Sequence, residues 1–175
     1  MNKEIILITG GSRSGKSAYG LHLADLYPGR RYYIATCPAF DGEMKERIAR
    51  HRRDRDGAGW ITIEETLDLA GALGRAREGA FILLDCLTLW INNLLLEHDR
   101  LTEDDIVARC RTVLEACSSV AGTVVFVSNE VGMGIVPDNP LARQFRDLAG
   151  RCNQVMAASA HCVIFMVSGI PVKVK

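Results

Sequence analysis

The sequence has no excess of charge of either sign and no long apolar run. Lysine and arginine together number 21, aspartate and glutamate together number 21, and the formal net charge is zero. This balance excludes a chain built mainly to bind nucleic acid or a membrane surface through a polybasic region. No apolar run approaches the roughly 20 residues of a membrane-spanning helix, so we predict no stable membrane insertion.

Cysteine pairs at metal-binding spacing are also absent. The six cysteines are scattered, with no C-x-x-C pair and no histidine at zinc-finger spacing. Several lie in apolar runs, where a free cysteine behaves as a small buried hydrophobic residue. The first apolar stretch, Ile5–Ile8, is too short for the core of a signal peptide. These features predict a cytoplasmic protein with reduced thiols.

The length and composition favour one folded unit. A chain of 175 residues with 48% hydrophobic and 24% charged residues is ordinary for a folded domain. We find no internal repeat, no low-complexity segment and no linker. The sequence therefore predicts a single domain that spans residues 1–175.

Short β-branched runs alternate with longer helical patterns, which predicts an α/β fold with a mostly parallel sheet. The predicted strands are Glu4–Thr9, Arg31–Thr36, Trp60–Glu64, Phe81–Asp85, Thr123–Asn129 and His161–Ser168, with Val172–Lys175 returning as an antiparallel edge strand. The predicted helices are Lys16–Leu26, Gly42–Arg55, Leu67–Ala76, Leu87–His98, Glu103–Ser118 and Pro140–Ala160.

The strongest motif follows the first predicted strand and opens the first predicted helix. It matches G-x-x-x-x-G-K-[ST] at every fixed position and consists of Gly10, Gly11, Ser12, Arg13, Ser14, Gly15, Lys16 and Ser17. Glycines let successive backbone N–H groups converge on phosphate oxygens, and the helix N-terminus adds its positive dipole end. We predict that Lys16 neutralises the β- and γ-phosphates and that the Ser17 hydroxyl binds Mg²⁺.

A second acidic group is expected near that metal. Phe81–Asp85 is an apolar run that ends in a carboxylate, the usual form of the magnesium partner in enzymes with a phosphate loop. Asp85 is therefore a predicted metal ligand, although an aspartate at a strand end also serves as a turn or capping residue. No Asn-Lys-x-Asp sequence is present, so the residues alone do not define the preferred base.

One histidine lies among arginines on a predicted helix. Arg47, His51 and Arg55 are spaced four residues apart and share a helix face. Neighbouring arginines attract phosphate, and a neutral imidazole can attack phosphorus to form a phosphoramidate. A solvated charged helix that happens to carry one histidine explains the same pattern, and the residues alone leave both interpretations open.

Polar residues also follow several predicted strands, where ligands of open α/β sheets bind. They are Thr36 and Cys37, Glu64, and the run 128–130, which leads into a loop containing Gly132 and Gly134. Each is compatible with a plain turn. Together they indicate a second substrate pocket.

These segments resemble one family, the bifunctional adenosylcobinamide kinase/adenosylcobinamide-phosphate guanylyltransferases of cobalamin synthesis. The resemblance runs from Ile5 to about Lys173. The phosphate loop is shared with many NTPases, whereas the helix that carries His51 and the segment Asn129–Pro137 are more specific. The shared segments are residues 10–17, Tyr33–Thr36, Arg47–Arg52, Asp85–Thr88 and Asn129–Pro137.

The resemblance implies a P-loop NTPase with a RecA-like, mostly parallel sheet flanked by helices and a C-terminal antiparallel edge strand. It implies that a nucleoside triphosphate (GTP, with ATP also possible) phosphorylates adenosylcobinamide. GMP is then transferred from GTP to that phosphate through a guanylylated His51, giving adenosylcobinamide-GDP and pyrophosphate. Lys16 is the second catalytic residue and Mg²⁺ the cofactor, held by Ser17 and Asp85. It also implies a homo-oligomer, typically a trimer.

Further nucleotide contacts follow from the resemblance by position. They are Ala35, Thr36, Cys37, Arg52, Arg53, Asp54, Arg55, Glu64 and Asp85, in addition to the phosphate loop. Because His51 has to approach that loop, we predict that helix Gly42–Arg55 is mobile. The chain departs from the resemblance at His161, where the family usually has an aspartate before its last core strand. Two alternatives are a monofunctional P-loop small-molecule kinase and a GTP-gated binding module without transfer chemistry.

Overall fold

The structure is a computed structural model that describes residues 3–38, 53, 57–76, 79–98 and 100–175. Strands and helices alternate along the chain, as the sequence predicts. The strands are β1 (Glu4–Gly10), β2 (Arg31–Ala35), β3 (Trp60–Glu64), β4 (Phe81–Asp85), β5 (Thr123–Val127), β6 (Cys162–Val167) and β7 (Ile170–Lys173). The described helices are α1 (Lys16–Asp25), α2 (Leu69–Gly74), α3 (Leu87–Glu97), α4 (Glu103–Ser118) and α5 (Pro140–Ser159).

The strands form one sheet in the order β3-β2-β4-β5-β1-β6-β7. Every pair is parallel except β6 with β7, which confirms the predicted antiparallel edge strand. That strand begins at Ile170 rather than Val172, because Ser168 and Gly169 form a two-residue turn between the paired residues Val167 and Ile170. Both turn residues have positive φ, 50° and 86°, as the tight turns favoured between hairpin strands require.

Strand side chains alternate between two hydrophobic clusters, one on each side of the sheet. Ile5 and Leu7 join a larger cluster with residues of α2, α3, α4 and α5. Ile6 and Ile8 join a smaller cluster with residues of α1. We call these sides the larger face and the smaller face. The alternation has the period of two that a strand imposes, and the strands are covered on both sides as expected of a parallel sheet.

Several predicted boundaries move by one or two residues. The strand predicted to reach Asn129 ends at Val127, and the helix predicted from Leu67 begins at Leu69. The latter start is set by Asp68, whose carboxylate accepts the Gly71 N–H at 2.9 Å and caps the helix. The predicted helix Gly42–Arg55 lies outside the described residues apart from Arg53. Among the described helices, none has both the length and the apolar character needed to cross a bilayer.

The six cysteines are free thiols, and four of them are buried. Burial raises the pKa of Cys117 to about 12. The thiols of Cys110 on α4 and Cys152 on α5 lie 3.4 Å apart, and the hydrogen bond from Cys110 together with burial raises the pKa of Cys152 well above its usual range. Thiols held in the protonated form are poor nucleophiles, so these residues act as packing groups.

Candidate nucleotide site

The phosphate loop connects the end of β1 to the start of α1, and two of its glycines are sterically required. Gly10 has φ 148°, and a Cβ there would lie 2.6 Å from the Met166 carbonyl oxygen. Gly15 has φ 95°, and a Cβ there would lie 3.3 Å from Gly169. Arg13 also has positive φ, 56°, although it is not a glycine. The loop thus requires backbone conformations that most residues adopt only at a cost.

Lys16 folds back across this loop. Its side chain is buried, and Nζ donates to the Gly11 carbonyl oxygen at 2.6 Å and to Ser14 Oγ at 3.4 Å. The loop is itself tied to neighbouring segments, because the Gly169 N–H donates to the Ser14 carbonyl oxygen at 2.9 Å. This geometry keeps the ammonium group within the curve of the loop, where it can neutralise phosphate oxygens.

Ser17 and Asp85 meet although they lie 68 residues apart in sequence. Ser17 Oγ donates to Asp85 Oδ2 at 2.7 Å, and the hydroxyl of Tyr33 donates to the same oxygen at 2.9 Å. A hydroxyl and one carboxylate are hard oxygen donors of the kind that hold Mg²⁺ together with phosphates and water. Within the described residues there is no group of three or more His, Cys, Asp or Glu side chains that could form an all-protein metal cage. The donor set therefore fits Mg²⁺.

Three of the predicted strand-end residues, Ala35, Glu64 and Asp85, are paired with one another across neighbouring strands, and we call this line of paired residues the row. Ala35 pairs with Glu64 on one side and with Asp85 on the other, and Asp85 pairs with Val127. Val127 in turn pairs with Ile8, two residues before the phosphate loop. With strands about 4.8 Å apart, Glu64 lies about 10 Å from β4 and about 19 Å from β1. Glu64 is exposed at the end of the row furthest from the phosphate loop.

Thr36 ties the ends of β2 and β4 together. Its Oγ1 accepts the Cys86 N–H at 2.7 Å and donates to the Cys86 carbonyl oxygen at 2.8 Å. Asn93 of α3 donates to the Thr36 carbonyl oxygen at 2.8 Å and to the Thr66 carbonyl oxygen at 3.1 Å. The buried hydroxyl of Thr36 is thus engaged within the protein. The next residue, Cys37, is half-buried.

Glu64 and its neighbour Glu65 have different environments. Burial acts to raise the pKa of Glu65, but hydrogen bonds from the backbone of Leu67 and Asp68 and from Arg75 outweigh it and hold that pKa below its usual value. Glu65 Oε2 lies 2.7 Å from the Arg75 guanidinium. Glu65 therefore holds the loop after β3 in place, whereas Glu64 ends the strand at the exposed side of the row.

The segment after β5 is held from two sides. Ser128 Oγ donates to Asn153 Oδ1 of α5 at 2.6 Å, and Asn153 Nδ2 donates to the Asn129 carbonyl oxygen at 3.2 Å. On the other side, Asn129 Nδ2 donates to Thr88 Oγ1 of α3 at 2.9 Å. These bonds fix the chain that runs past the phosphate loop.

The predicted site residues are thus described to different extents. Residues 10–17 and Asp85 come together at the carboxyl edge of the sheet, with Ala35 in the same row. Arg53 is exposed. His51, Arg52, Asp54 and Arg55 lie outside the described residues.

Sequence reasoning assigned no role to Tyr33, Asn93 or Asn153. Tyr33 lies two residues before Ala35 on β2, and the period of two places its side chain on one face with Asp85 once β2 and β4 are known to be neighbours. Asn93 interrupts an apolar helix, and a buried amide there requires partners. For Asn93, this polar residue within an apolar helix was the feature from which a structural role could have been predicted.

The fold is similar to that of solved structures of other proteins. The flagellar accessory protein FlaH from Methanocaldococcus jannaschii superposes with a TM-score of 0.54 at 15% identity, covering 99% of this chain and 79% of that one. A KaiC-like protein from Pyrococcus horikoshii superposes with a TM-score of 0.51 at 11% identity, covering 94% of this chain and 71% of that one. These likenesses and the strand order confirm the predicted α/β fold with a mostly parallel sheet flanked by helices.

The sequence comparisons are more specific. The family model for cobinamide kinase / cobinamide phosphate guanyltransferase matches residues 6–174. The bifunctional adenosylcobalamin biosynthesis protein CobP of Pseudomonas aeruginosa is 44% identical over 170 residues, 97% of this chain and 96% of that protein. The corresponding CobU of Salmonella typhimurium is 43% identical over 187 residues, 98% of this chain and 99% of that protein. The chain therefore belongs to the cobinamide kinase / cobinamide phosphate guanyltransferase family.

Proposed function

We propose that one phosphate loop serves both activities of this family, phosphorylation of adenosylcobinamide and transfer of GMP from GTP to the product. The observation that supports this most directly is the pairing of Ser17 with Asp85 at 2.7 Å beside the folded-back ammonium of Lys16. These are the groups that position a triphosphate and neutralise its charge. In the kinase reaction the γ-phosphorus of the bound triphosphate is attacked, and in the transferase reaction the α-phosphorus is attacked.

In the kinase step the acceptor oxygen attacks the γ-phosphorus. The bond from that phosphorus to the bridging oxygen breaks, and the nucleoside diphosphate leaves with the electron pair. Lys16 and the backbone N–H groups of the loop stabilise the charge on the transferred group and on the leaving oxygen. We assign Mg²⁺ to Ser17 and Asp85, and when bound it supplies further charge neutralisation at the phosphates.

In the transferase steps we assign His51 as the nucleophile. The lone pair of its neutral imidazole forms a bond to the α-phosphorus of GTP while the bond to pyrophosphate breaks. A phosphate oxygen of adenosylcobinamide phosphate then attacks the same phosphorus, and the P–N bond breaks to return the imidazole. The arginines spaced four residues from His51, Arg47 and Arg55, support this role because they attract phosphate. The remaining nucleotide contacts stay as predicted from the resemblance.

We further propose a cytoplasmic homo-oligomer, a trimer, in which residues 1–175 of each subunit form one domain. The exposed apolar side chains of Ile170 and Val172 on the edge strand β7 favour assembly, because an edge strand with apolar side chains readily pairs or packs with another surface. Light scattering coupled to gel filtration tests the subunit number, and a monomer at assay concentrations would contradict it.

The histidine assignment is tested by the intact mass of the protein after incubation with GTP and Mg²⁺. We expect wild-type protein to gain the mass of one GMP in an acid-labile bond, and His51→Ala to gain nothing. His22→Ala is the matched control, since His22 is an exposed histidine of α1, the helix that follows the phosphate loop, and should leave the adduct unchanged. A folded, GTP-binding wild type without an adduct would favour the monofunctional kinase or the binding module.

The shared loop is tested with Lys16→Ala. Because Lys16 lies within the loop that would hold both the γ-phosphate and the departing pyrophosphate, we expect both reactions to slow by about 10²–10³-fold. Lys173→Ala, at an exposed lysine of β7, is the control. If Lys16→Ala impaired only one of the two reactions, the proposal of one loop for both would be wrong.

A further inference from the structure

Glu130 lies beside the first residue of the phosphate loop. The last paired residues of β1 and β5 are Ile8 and Val127, and the parallel bonding continues beyond them. The Ser128 N–H donates to the Ile8 carbonyl oxygen at 2.9 Å, and the Glu130 N–H donates to the Gly10 carbonyl oxygen at 3.0 Å. The backbone of Glu130 is therefore bonded to the residue at which the phosphate loop begins.

The position of Glu130 is fixed by its neighbours. Asn153 of α5 bonds both Ser128 and the Asn129 carbonyl oxygen, and the Asn129 side chain bonds Thr88 of α3. Three elements, β1, α3 and α5, thus hold residues 128–130. A side chain presented on such a support has a defined location before any substrate binds, which is the condition for efficient proton transfer.

The carboxylate of Glu130 makes few contacts with the described part of the protein. In the described part of the chain it accepts a single long hydrogen bond, 3.4 Å, from the Gly132 N–H, and it forms no ion pair with lysine or arginine. It is half-buried.

The other carboxylates at the strand ends are Asp85, Glu64 and Glu65, and Glu65 is paired with Arg75. Asp85 accepts hydrogen bonds from Ser17 and Tyr33 at the predicted metal position. Glu64 ends β3, which is four strand spacings, about 19 Å, from the strand that carries the loop. Among the described carboxylates at or just after the strand ends, Glu130 is thus the one whose backbone bonds to the phosphate loop and which the metal site leaves unassigned.

We infer that Glu130 is the general base of the kinase step. This rests on the proposed function, because it requires that the loop bind the triphosphate whose γ-phosphoryl group is transferred. As the acceptor oxygen bonds to the γ-phosphorus and the bond to the bridging oxygen breaks, the hydroxyl proton passes to a carboxylate oxygen of Glu130 and later to solvent. The loop after Glu130 is exposed at Met133, Ile135 and Val136, so a large acceptor can reach the carboxylate from solvent.

The guanylyl transfer steps give this assignment a sharp test. A neutral imidazole attacks through its lone pair, and the acceptor phosphate needs no base, so neither transferase step requires Glu130. We expect Glu130→Gln to lower the kinase rate by about 10²–10⁴-fold with little change in the KM for GTP. Guanylylation of the protein should stay near the wild-type rate, which also shows that the variant is folded.

The experiment uses GTP labelled at the γ-phosphate to follow phosphorylation of adenosylcobinamide, and GTP labelled at the α-phosphate to follow guanylylation. Glu130→Asp, which keeps a carboxylate one methylene shorter, should retain more kinase activity than Glu130→Gln. Glu97→Gln, an exposed glutamate at the end of α3, is the matched control and should change neither rate.

Three results would overturn the inference. If Glu130→Gln keeps the wild-type kinase rate, Glu130 is not the base. If both reactions slow together and excess Mg²⁺ restores them, the carboxylate acts on the metal instead. A wild type that forms the GMP adduct but transfers no γ-label would refute the proposed kinase function, and the assignment with it.

Discussion

The two faces of the sheet differ in the helices that cover them. The larger face is covered by α2 to α5 and closes over aliphatic and aromatic side chains such as Trp90 and Phe126. The smaller face is covered, among the described elements, by α1, the helix that begins at the phosphate loop. Because adjacent residues of one strand point to opposite faces, the same strands contribute to both hydrophobic clusters, and only the smaller cluster includes residues of the helix that begins at the phosphate loop.

Polar residues at the strand ends differ in the same way. Thr36 and Ser128 bond partners within the protein, the Cys86 backbone and Asn153 of α5. Asp85 lies on the same face of β4 as Phe81 and Leu83, which belong to the smaller-face cluster. Its carboxylate contacts Ser17 in the first turn of α1. Thr36 and Ser128 thus hold the architecture, whereas Ser17 and Asp85 bond each other at the position predicted for the metal.

The largest effect should follow from a cavity in the larger face. Trp90 is 2% exposed, and its Nε1 donates to the Leu67 carbonyl oxygen at 2.8 Å. We expect Trp90→Ala to lower the free energy of unfolding by about 3–5 kcal/mol, measured by urea denaturation. Because Trp90 lies in the larger-face cluster and the phosphate loop leads into α1 on the smaller face, the kinase rate per folded molecule at low temperature should change little.

Trp90→Phe is the control for this prediction. It keeps most of the buried ring but loses the hydrogen bond to Leu67, so its cost should be clearly smaller than that of the alanine variant. If Trp90→Ala left the stability intact but abolished phosphate binding, the division between the two faces would be wrong.

Tyr33→Phe is expected to have a smaller effect on stability than Trp90→Ala, and to act mainly on metal binding. The Tyr33 hydroxyl donates to Asp85 Oδ2 at 2.9 Å, the oxygen that Ser17 also contacts. Removing it should weaken apparent Mg²⁺ affinity by about 10–100-fold, as for other partners of metal ligands. The free energy of unfolding should fall by only about 0.5–1.5 kcal/mol. A titration of the kinase rate with Mg²⁺ measures the first quantity, and urea denaturation measures the second.

The adjacent tyrosine supplies the matched control. Tyr32 is equally buried but belongs to the larger-face cluster. Tyr32→Phe should therefore leave the Mg²⁺ dependence unchanged. If the two variants had the same Mg²⁺ dependence, the hydrogen bond from the Tyr33 hydroxyl to Asp85 would not contribute to metal binding.

The phosphate loop could be predicted because its motif is local. Eight consecutive residues define the turn, the lysine and the start of α1, and a strand and a helix flank them. The position of Asp85 at the end of a strand was also predictable, since it ends an apolar run, and its role as a metal ligand stays a prediction. Tyr33 and Asn153 could not be predicted, because their roles depend on β2 lying beside β4 and on α5 lying against the end of β5. Strand order is a property of the whole chain and has no local signal.

The bounds of the edge strand were predicted wrongly for a related reason. The sequence places Ser168–Pro171 before the predicted edge strand Val172–Lys175, whereas β7 spans Ile170–Lys173 and includes the proline. In β7, Pro171 is tolerated because this strand is an edge with a pairing partner on one side, and it pairs with Met166. Whether a proline breaks a strand thus depends on the position of that strand in the sheet.

The smallest effect is expected at His161, where the resemblance led us to expect aspartate. His161 Nδ1 accepts the Ile5 N–H at 3.0 Å, and the His161 N–H donates to the Ile5 carbonyl oxygen at 2.8 Å. The imidazole thus takes the place of a backbone acceptor where β6 first meets β1. A carboxylate at this position offers the same N–H an acceptor, so both residue types suit it.

We therefore expect His161→Asp to stay within about 0.5 kcal/mol of wild type in urea denaturation, and His161→Ala to lose about 0.5–1.5 kcal/mol. Neither variant should alter the kinase or transferase rates, because the contact lies at the amino end of the sheet, opposite the phosphate loop. An alanine variant as stable as wild type would show that the hydrogen bond contributes nothing. An aspartate variant less stable than alanine would show that ring packing, rather than the acceptor atom, is what this position requires.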